Sequence, residues 1–368
     1  MPAQGGDENK IHHAAGSGEP ESDVSSEEGC TGQAPRMQRR PRYMSGNHRD
    51  HLEECLPLLN AAVARLLKPA EVKLNKKAQQ AILDEAGKLK EIHTWDESTV
   101  EEYDDVVRRH RNANTKAHFG RLFPICNEKH SELPDGHPDK VFKGRVVFQG
   151  DSVKDESGEW AIFAELASCP ATMEGSKSVD AWALFNGHDV QQADAIKAYV
   201  QTDLGGTETW IELPDLLKPK AWAGFRRPVC RLKLNLYGHP DAGGYWESYS
   251  FEIIKSAGFV PIEGWPSMFY HPEWKVMLLA YVDDFKMAGP KGRLPEAWKS
   301  ISKIKMDPPT PVGRFLGCNH KITDLPDRRE IEWDMCDFLG QCIERYVELS
   351  PEKVNFVPAK TPFLDEAV

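Results

Sequence analysis

Val276-Met277-Leu278-Leu279-Ala280-Tyr281-Val282-Asp283-Asp284-Phe285 is the stretch on which the reading of the chain turns. Seven apolar or aromatic residues lead into two adjacent carboxylates, and Lys286-Met287-Ala288-Gly289 comes next. A continuous apolar run bounded by turn residues reads as a strand buried on both faces. Ending it on Asp-Asp sets two negative charges beside a core, where an unpaired charge is costly. Carboxylate pairs hold hard divalent metals well, so a bound cation is one expectation. A β-hairpin whose turn contains two Asp, residues that turns favour, is the other.

The 368 residues suffice for about two domains. No apolar stretch approaches the ~18 residues of a membrane span. The N-terminus lacks the apolar core of a secretory signal. An intracellular protein without membrane contact is expected, in the cytoplasm, the nucleus or both. Eight Cys with no C-x-x-C pair resemble neither a zinc site nor a disulfide framework. The net charge of −11 argues against nucleic-acid binding over the whole surface, though not against a local basic channel.

Residues 1–49, rich in Gly, Ser, Glu and Pro, read as a disordered tail; Arg36, Arg39, Arg40 and Arg42 cluster within it. Residues 50–119 read as a helical N-terminal segment. Leu52, Leu56, Leu59, Val63 and Leu66 recur at helical spacing, and Ala78, Ile82, Leu89 and Ile92 come after Asn75, a candidate N-cap. The charged stretch 96–111 reads as further helix. Strands are expected at 121–125 and 141–148, and Lys143 and Arg145 share one face of the second. Two cations on a face suit a polyphosphate, or simply line an exposed strand. Further strands are expected at 190–194, 209–214 and 228–232. A helix led by Tyr245 and stopped at Gly258 is next, then a helix over 294–304. A hairpin over 315–333 and a last helix over 338–349 complete the pattern. Helices and strands alternate without a βαβ rhythm, which favours an α+β class.

Phosphoryl transfer on two divalent ions needs carboxylates on a rigid frame, the ions roughly 4 Å apart. Asp194 ends one expected strand and Asp283-Asp284 end another. If the strands are neighbours, three acids converge; Asp194 also reads as a cap for the next helix, and a cap and a metal ligand can be the same residue.

The segment from about residue 78 to 363 resembles the reverse transcriptase region of copia-type LTR retrotransposon polyproteins. Five blocks carry the resemblance in the family's order. Phe142-Lys143-Gly144-Arg145-Val146-Val147 resembles the fingers strand, and Asp194-Ala-Ile-Lys-Ala-Tyr-Val-Gln201 the first catalytic motif. Leu236-Tyr237-Gly238 with Trp246, then Tyr281-Val282-Asp283-Asp284, then Phe315-Leu316-Gly317 complete the series. The resemblance implies an RNA-directed DNA polymerase, a nucleotidyltransferase with a right-hand fold. Fingers and a palm of mostly antiparallel strands packed on helices would occupy 120–320. A partial thumb or connection would occupy 321–368, with no RNase H domain.

By the same resemblance Asp194, Asp283 and Asp284 would bind two Mg²⁺, with Mn²⁺ as a substitute. Lys143 and Arg145 would hold the incoming triphosphate, and Tyr199 would be the sugar gate against a ribose 2′-OH. Implied partners are an RNA/DNA template–primer and dNTPs, with a homodimer or other products of the retroelement polyprotein beyond them. His239-Pro-Asp-Ala-Gly-Gly244 departs from the family's pattern. Asp241 stands where a nucleotide-contacting Gln is usual, and Gly244 where an Arg is. A carboxylate near a triphosphate is unfavourable unless metal or base contacts offset it. No zinc knuckle is visible, and the chain reads as an excised, truncated or domesticated polymerase fragment. The alternative is a catalytically silent remnant that binds nucleic acid or protein through the retained fold.

Overall fold

The computed structural model describes residues 65–131, 133–134, 136–163, 171–350, 354 and 356. The tail read over 1–49 and most of the first expected helix lie outside them. The described chain starts with a short strand, β1 (Arg65–Leu66), and a helix, α1 (Pro69–Leu74), with Pro69 in its first turn. Asn75 then accepts through Oδ1 from the N–H groups of Lys77 and Ala78 at 3.0 and 3.1 Å. It thereby caps α2 (Lys76–Glu91), whose Ala78, Ile82, Ala86 and Leu89 are buried.

Two helical expectations fail in this region. Leu66 does not extend a helix, because Arg65 and Leu66 pair with Glu128 and Asn127 of a later strand. The stretch 96–111 is not one helix but a strand, β2 (Trp95–Glu102), succeeded by a helix, α3 (Tyr103–Ala113). Its acidic residues suit a helix, yet β2 gains a ladder with residues 228–232 across a bulge between Asp96 and Glu101. Tertiary pairing overrides local propensity there. The Glu102 carboxylate accepts from the N–H groups of Arg226 and Arg227, at 2.6 and 2.9 Å, where the strand turns into the helix.

The chain continues as β3 (Ala117–Lys129), β4 (Val141–Phe148), β5 (Lys154–Asp155), α4 (Met173–Ala183) and β6 (His188–Asp194). Next come β7 (Glu208–Glu212), β8 (Pro228–Leu232), α5 (Ala242–Ser256), β9 (Val260–Pro261) and β10 (Met268–His271). After them lie β11 (Val276–Tyr281), β12 (Asp284–Pro290), α6 (Leu294–Ser300), β13 (Thr310–Pro311) and β14 (Arg314–Phe315). The last elements are β15 (Cys318–Asp324), β16 (Arg329–Asp334) and α7 (Cys336–Leu349). No helix among the described residues is long and apolar enough to cross a membrane.

Three sheets form among these residues. The first runs β1-β3-β7-β8-β2, with β4 and β5 also on β3, and only its β3–β7 pairing is parallel. The second runs β13-β6-β12-β11-β10-β9 and is antiparallel throughout. The third, β14-β15-β16, is a small antiparallel meander.

The second sheet is covered on both faces, which accounts for the apolar run in β11. On one face Leu278, Ala280, Phe285 and Met287 pack with Trp246 and Ile254 of α5 and Ala297 and Trp298 of α6. On the other, Val190, Leu279 and Ala288 pack with Val179 and Ala183 of α4. Lys286 shares this second face and is fully buried. Its Nζ donates to Asp180 Oδ1 and Ser176 Oγ, each at 2.7 Å.

Candidate active site

Tyr281 and Asp284 are paired, so Val282-Asp283 is a two-residue link between β11 and β12. Val282 has φ = 55°, a left-handed conformation that β-branched residues avoid and short hairpins normally assign to Gly or Asn. Two hydrogen bonds hold the turn against that strain. Trp246 Nε1 donates to the Val282 carbonyl at 2.6 Å, and the Ala195 N–H donates to the Asp283 carbonyl at 2.6 Å.

The second of these bonds comes from the residue after Asp194. In the β6–β12 ladder Asp194 sits directly opposite Asp284, so the two side chains leave the sheet on one face as neighbours. Burial, then the nearby charges of Asp283 and Asp194, push the Asp284 carboxyl up to about 6. An acid raised in this way marks a place where negative charge is concentrated and a proton or a cation is favoured. Oxygen donors of this kind suit Mg²⁺ or Mn²⁺. Among the described residues, however, no three His, Cys, Asp or Glu side chains form a ready-made metal cluster. Asp194 and Asp284 meet as a pair, while Asp283 belongs to the adjoining cavity.

That cavity, of about 270 Å³, is lined by Lys143 and Arg145 of β4, Glu85 and Leu89 of α2, Lys197, Tyr237 and Asp283. Burial, and secondarily the charge of Arg145, lowers the Lys143 pKa, while Asp283 acts in the opposite direction. The expected face-sharing of Lys143 and Arg145 thus puts both beside one of the acids. Tyr199 meets the Tyr237 ring edge-on at a centroid distance of 4.5 Å. Burial raises both phenols, with Asp283 adding to the effect, and Tyr237 reaches about 12. Both hydroxyls therefore stay protonated at neutral pH.

Two glycines permit close backbone contacts here, Gly144 in the cavity lining and Gly238 just outside it. A Cβ on Gly144 would lie 2.4 Å from the Ala81 carbonyl oxygen, so α2 can rest directly on β4. Gly238 has φ = 90°, and a Cβ there would lie 2.1 Å from the Phe148 carbonyl oxygen. The Phe148 N–H donates to the Tyr237 carbonyl at 2.8 Å, completing the contact between this turn and the end of β4. Leu236-Tyr237-Gly238 thus has a local physical basis: a buried anchor, a ring in the cavity wall and a turn without a side chain.

Asp241 is not brought into this cavity. It is 6% exposed at the start of α5, where its N–H donates to His239 Nδ1 at 3.3 Å and its charge bears on Tyr245. Gly244 is buried in the first turn of α5. Lys197 and Glu85, absent from the site expected from sequence, do line the cavity and are joined at 3.1 Å. Their separation of 112 residues left no local pattern by which to pair them. A more open hollow of about 810 Å³ around Arg121, Gln149, Glu212 and Lys218 contains none of the three acids.

No family model matches the chain. Over 224 residues, 60% of its length, it is 26% identical to the retrovirus-related Pol polyprotein from transposon TNT 1-94 of Nicotiana tabacum. The chain spans only 16% of that polyprotein. This similarity supports an origin in a retroelement polyprotein.

Proposed function

We propose that the protein is an RNA-directed DNA polymerase of the copia type, extending a primer 3′-hydroxyl with dNTPs on an RNA or DNA template. The observation that carries the reading is the placement of Asp194 opposite Asp284, with the adjacent Asp283 lining the cationic cavity. The resemblance of five ordered blocks and the similarity to a Pol polyprotein support it. On this reading the second sheet with α4, α5 and α6 is the palm of a right-hand fold, and the β3–β4 region belongs to the fingers.

Asp194, Asp283 and Asp284 would hold two Mg²⁺ or Mn²⁺, which when bound supply charge neutralisation for the attacking hydroxyl and the departing pyrophosphate. The chain's own residues do the rest by positioning and electrostatics. Lys143 and Arg145 bind the triphosphate, Arg145 through its fork of donors. Tyr199 stands outside the cavity lining, edge-on to Tyr237, which is part of it, and as the sugar gate it would be the ring against which a 2′-hydroxyl clashes. Trp246 and Ala195 fix the turn that carries Asp283.

Primer extension tests the reading. The purified chain, given an RNA template, a DNA primer, dNTPs and Mg²⁺ or Mn²⁺, should add templated nucleotides. The Asp283→Asn/Asp284→Asn variant should add none. Extension that survives in that variant would remove the assignment. A wild-type chain that binds template–primer without extending it under either metal would point to a silent binding module.

A further inference from the structure

Lys197 lies between Asp194 and Tyr199 and adopts a left-handed backbone conformation, φ = 51° and ψ = 51°. A residue with a side chain is strained there, and Gly or Asn would suit the backbone better. The lysine side chain is nonetheless directed into the cavity that holds Lys143, Arg145 and Asp283. There its Nζ donates to Glu85 Oε1 of α2 at 3.1 Å, with the two side chains only 29% and 25% exposed. The lining thus carries three cations, Lys143, Arg145 and Lys197, against two anions, Glu85 and Asp283. Glu85 occupies the acceptor position on Lys197 that an entering phosphate oxygen would take.

We propose that Lys197 is a third phosphate-binding cation of this cavity and that Glu85 is its internal competitor, displaced when a polyphosphate enters. Naming the ligand as the triphosphate of a nucleotide rests on the polymerase reading; the binding of a polyphosphate chain does not. Phosphate oxygens bring more negative charge to Lys197 than one carboxylate does, so the exchange is favourable once Lys143 and Arg145 have drawn the ligand in. Glu85 meanwhile keeps an otherwise uncompensated cation neutralised in the empty site.

The test is calorimetric titration of the full chain with inorganic tripolyphosphate, without primer or metal, for wild type, Lys197→Met and Glu85→Gln. Both substitutions delete the same ion pair, so a purely structural role predicts similar losses of melting temperature and no opposed effect on binding. The proposal predicts opposite changes in affinity: about tenfold weaker for Lys197→Met and several-fold tighter for Glu85→Gln, with Lys197→Arg near wild type. It is overturned by wild type failing to bind tripolyphosphate, by unchanged affinity in Lys197→Met, or by Glu85→Gln binding more weakly. Primer extension is not read in this assay. Loss of the polymerase reading would leave its result standing, and a negative titration would leave templated synthesis untouched.

Discussion

The indole N–H of Trp246 on α5 donates to the carbonyl of Val282 at 2.6 Å, tying a core helix to the strained turn beside Asp283. Replacing it with Phe keeps most of the buried ring and removes the donor. The Val282 carbonyl loses its indole partner, at a cost of about 1 kcal/mol. Trp246→Phe should therefore lower the melting temperature by a few degrees and reduce primer extension more than tenfold, because the turn then keeps only the bond from the Ala195 N–H. Full activity in a merely destabilised variant would show that the turn does not depend on this bond.

Asp284 makes metal-free stability depend on pH. Its folded-state pKa of about 6 lies above the ordinary value of 3.8, so the folded protein binds this proton more tightly than the unfolded chain does. The stabilisation is fully present below about pH 3.8 and is lost as the pH rises through 6. Partial exposure limits its size to about 1–2 kcal/mol. In a chelator, the melting temperature of wild type relative to Asp284→Asn should fall between pH 4 and pH 7. Parallel profiles for the two proteins would contradict the raised pKa.

Lys286 and Asp180 form a fully buried ion pair at 2.7 Å that ties β12 to α4. Asp180 Oδ2 also accepts from Trp333 Nε1 at 2.9 Å and lies 3.1 Å from His320 Nε2, linking β15 and β16 to the same carboxylate. Burial opposes its ionisation, but His320, Lys286 and Trp333 hold its pKa below the ordinary value. Lys286→Met strands that charge and should cost about 3–5 kcal/mol. The double change Lys286→Met/Asp180→Leu should recover a large part of the loss in chemical denaturation. A double variant no more stable than Lys286→Met would show that shape, not the stranded charge, sets the cost.

Gly238→Ala should damage folding by more than about 2 kcal/mol, since its backbone is left-handed and the new Cβ meets a backbone oxygen rather than a movable side chain. Gly136→Ala is the control: it also has positive φ, but nothing lies within 4 Å of its Cβ. Urea denaturation midpoints should rank wild type, Gly136→Ala and Gly238→Ala in that order. Equal losses in the two variants would mean that close packing on Phe148 contributes little.

Much of the local structure was legible because local chemistry decides it. Asn75 caps α2, β4 and β8 keep the limits expected from their apolar patterns, and Gly258 lies just past α5 with φ = 94°. The stretch 96–111 misled because its acidic residues favour a helix while a partner strand more than 120 residues away recruits its first part. Asp194 was legible as a strand end, whereas Asp284 opens β12 instead of ending β11, and only the β6–β12 register makes the two neighbours. Asp241 illustrates the converse. The resemblance puts it at the incoming nucleotide, while the fold buries it at the start of α5, outside the lining of the cavity that holds Lys143 and Arg145. The Lys197–Glu85 and Lys286–Asp180 pairs are encoded by no periodicity, since each joins elements over 100 residues apart.

The most direct test of the central claim, that Asp194, Asp283 and Asp284 act as one divalent-metal site, is Mn²⁺ binding at pH 7.5 measured by the rise in melting temperature. Wild type should gain several degrees at saturating Mn²⁺, and Asp194→Asn and Asp283→Asn/Asp284→Asn should each lose that gain. No gain in wild type, or the same gain in all three proteins, would contradict the account.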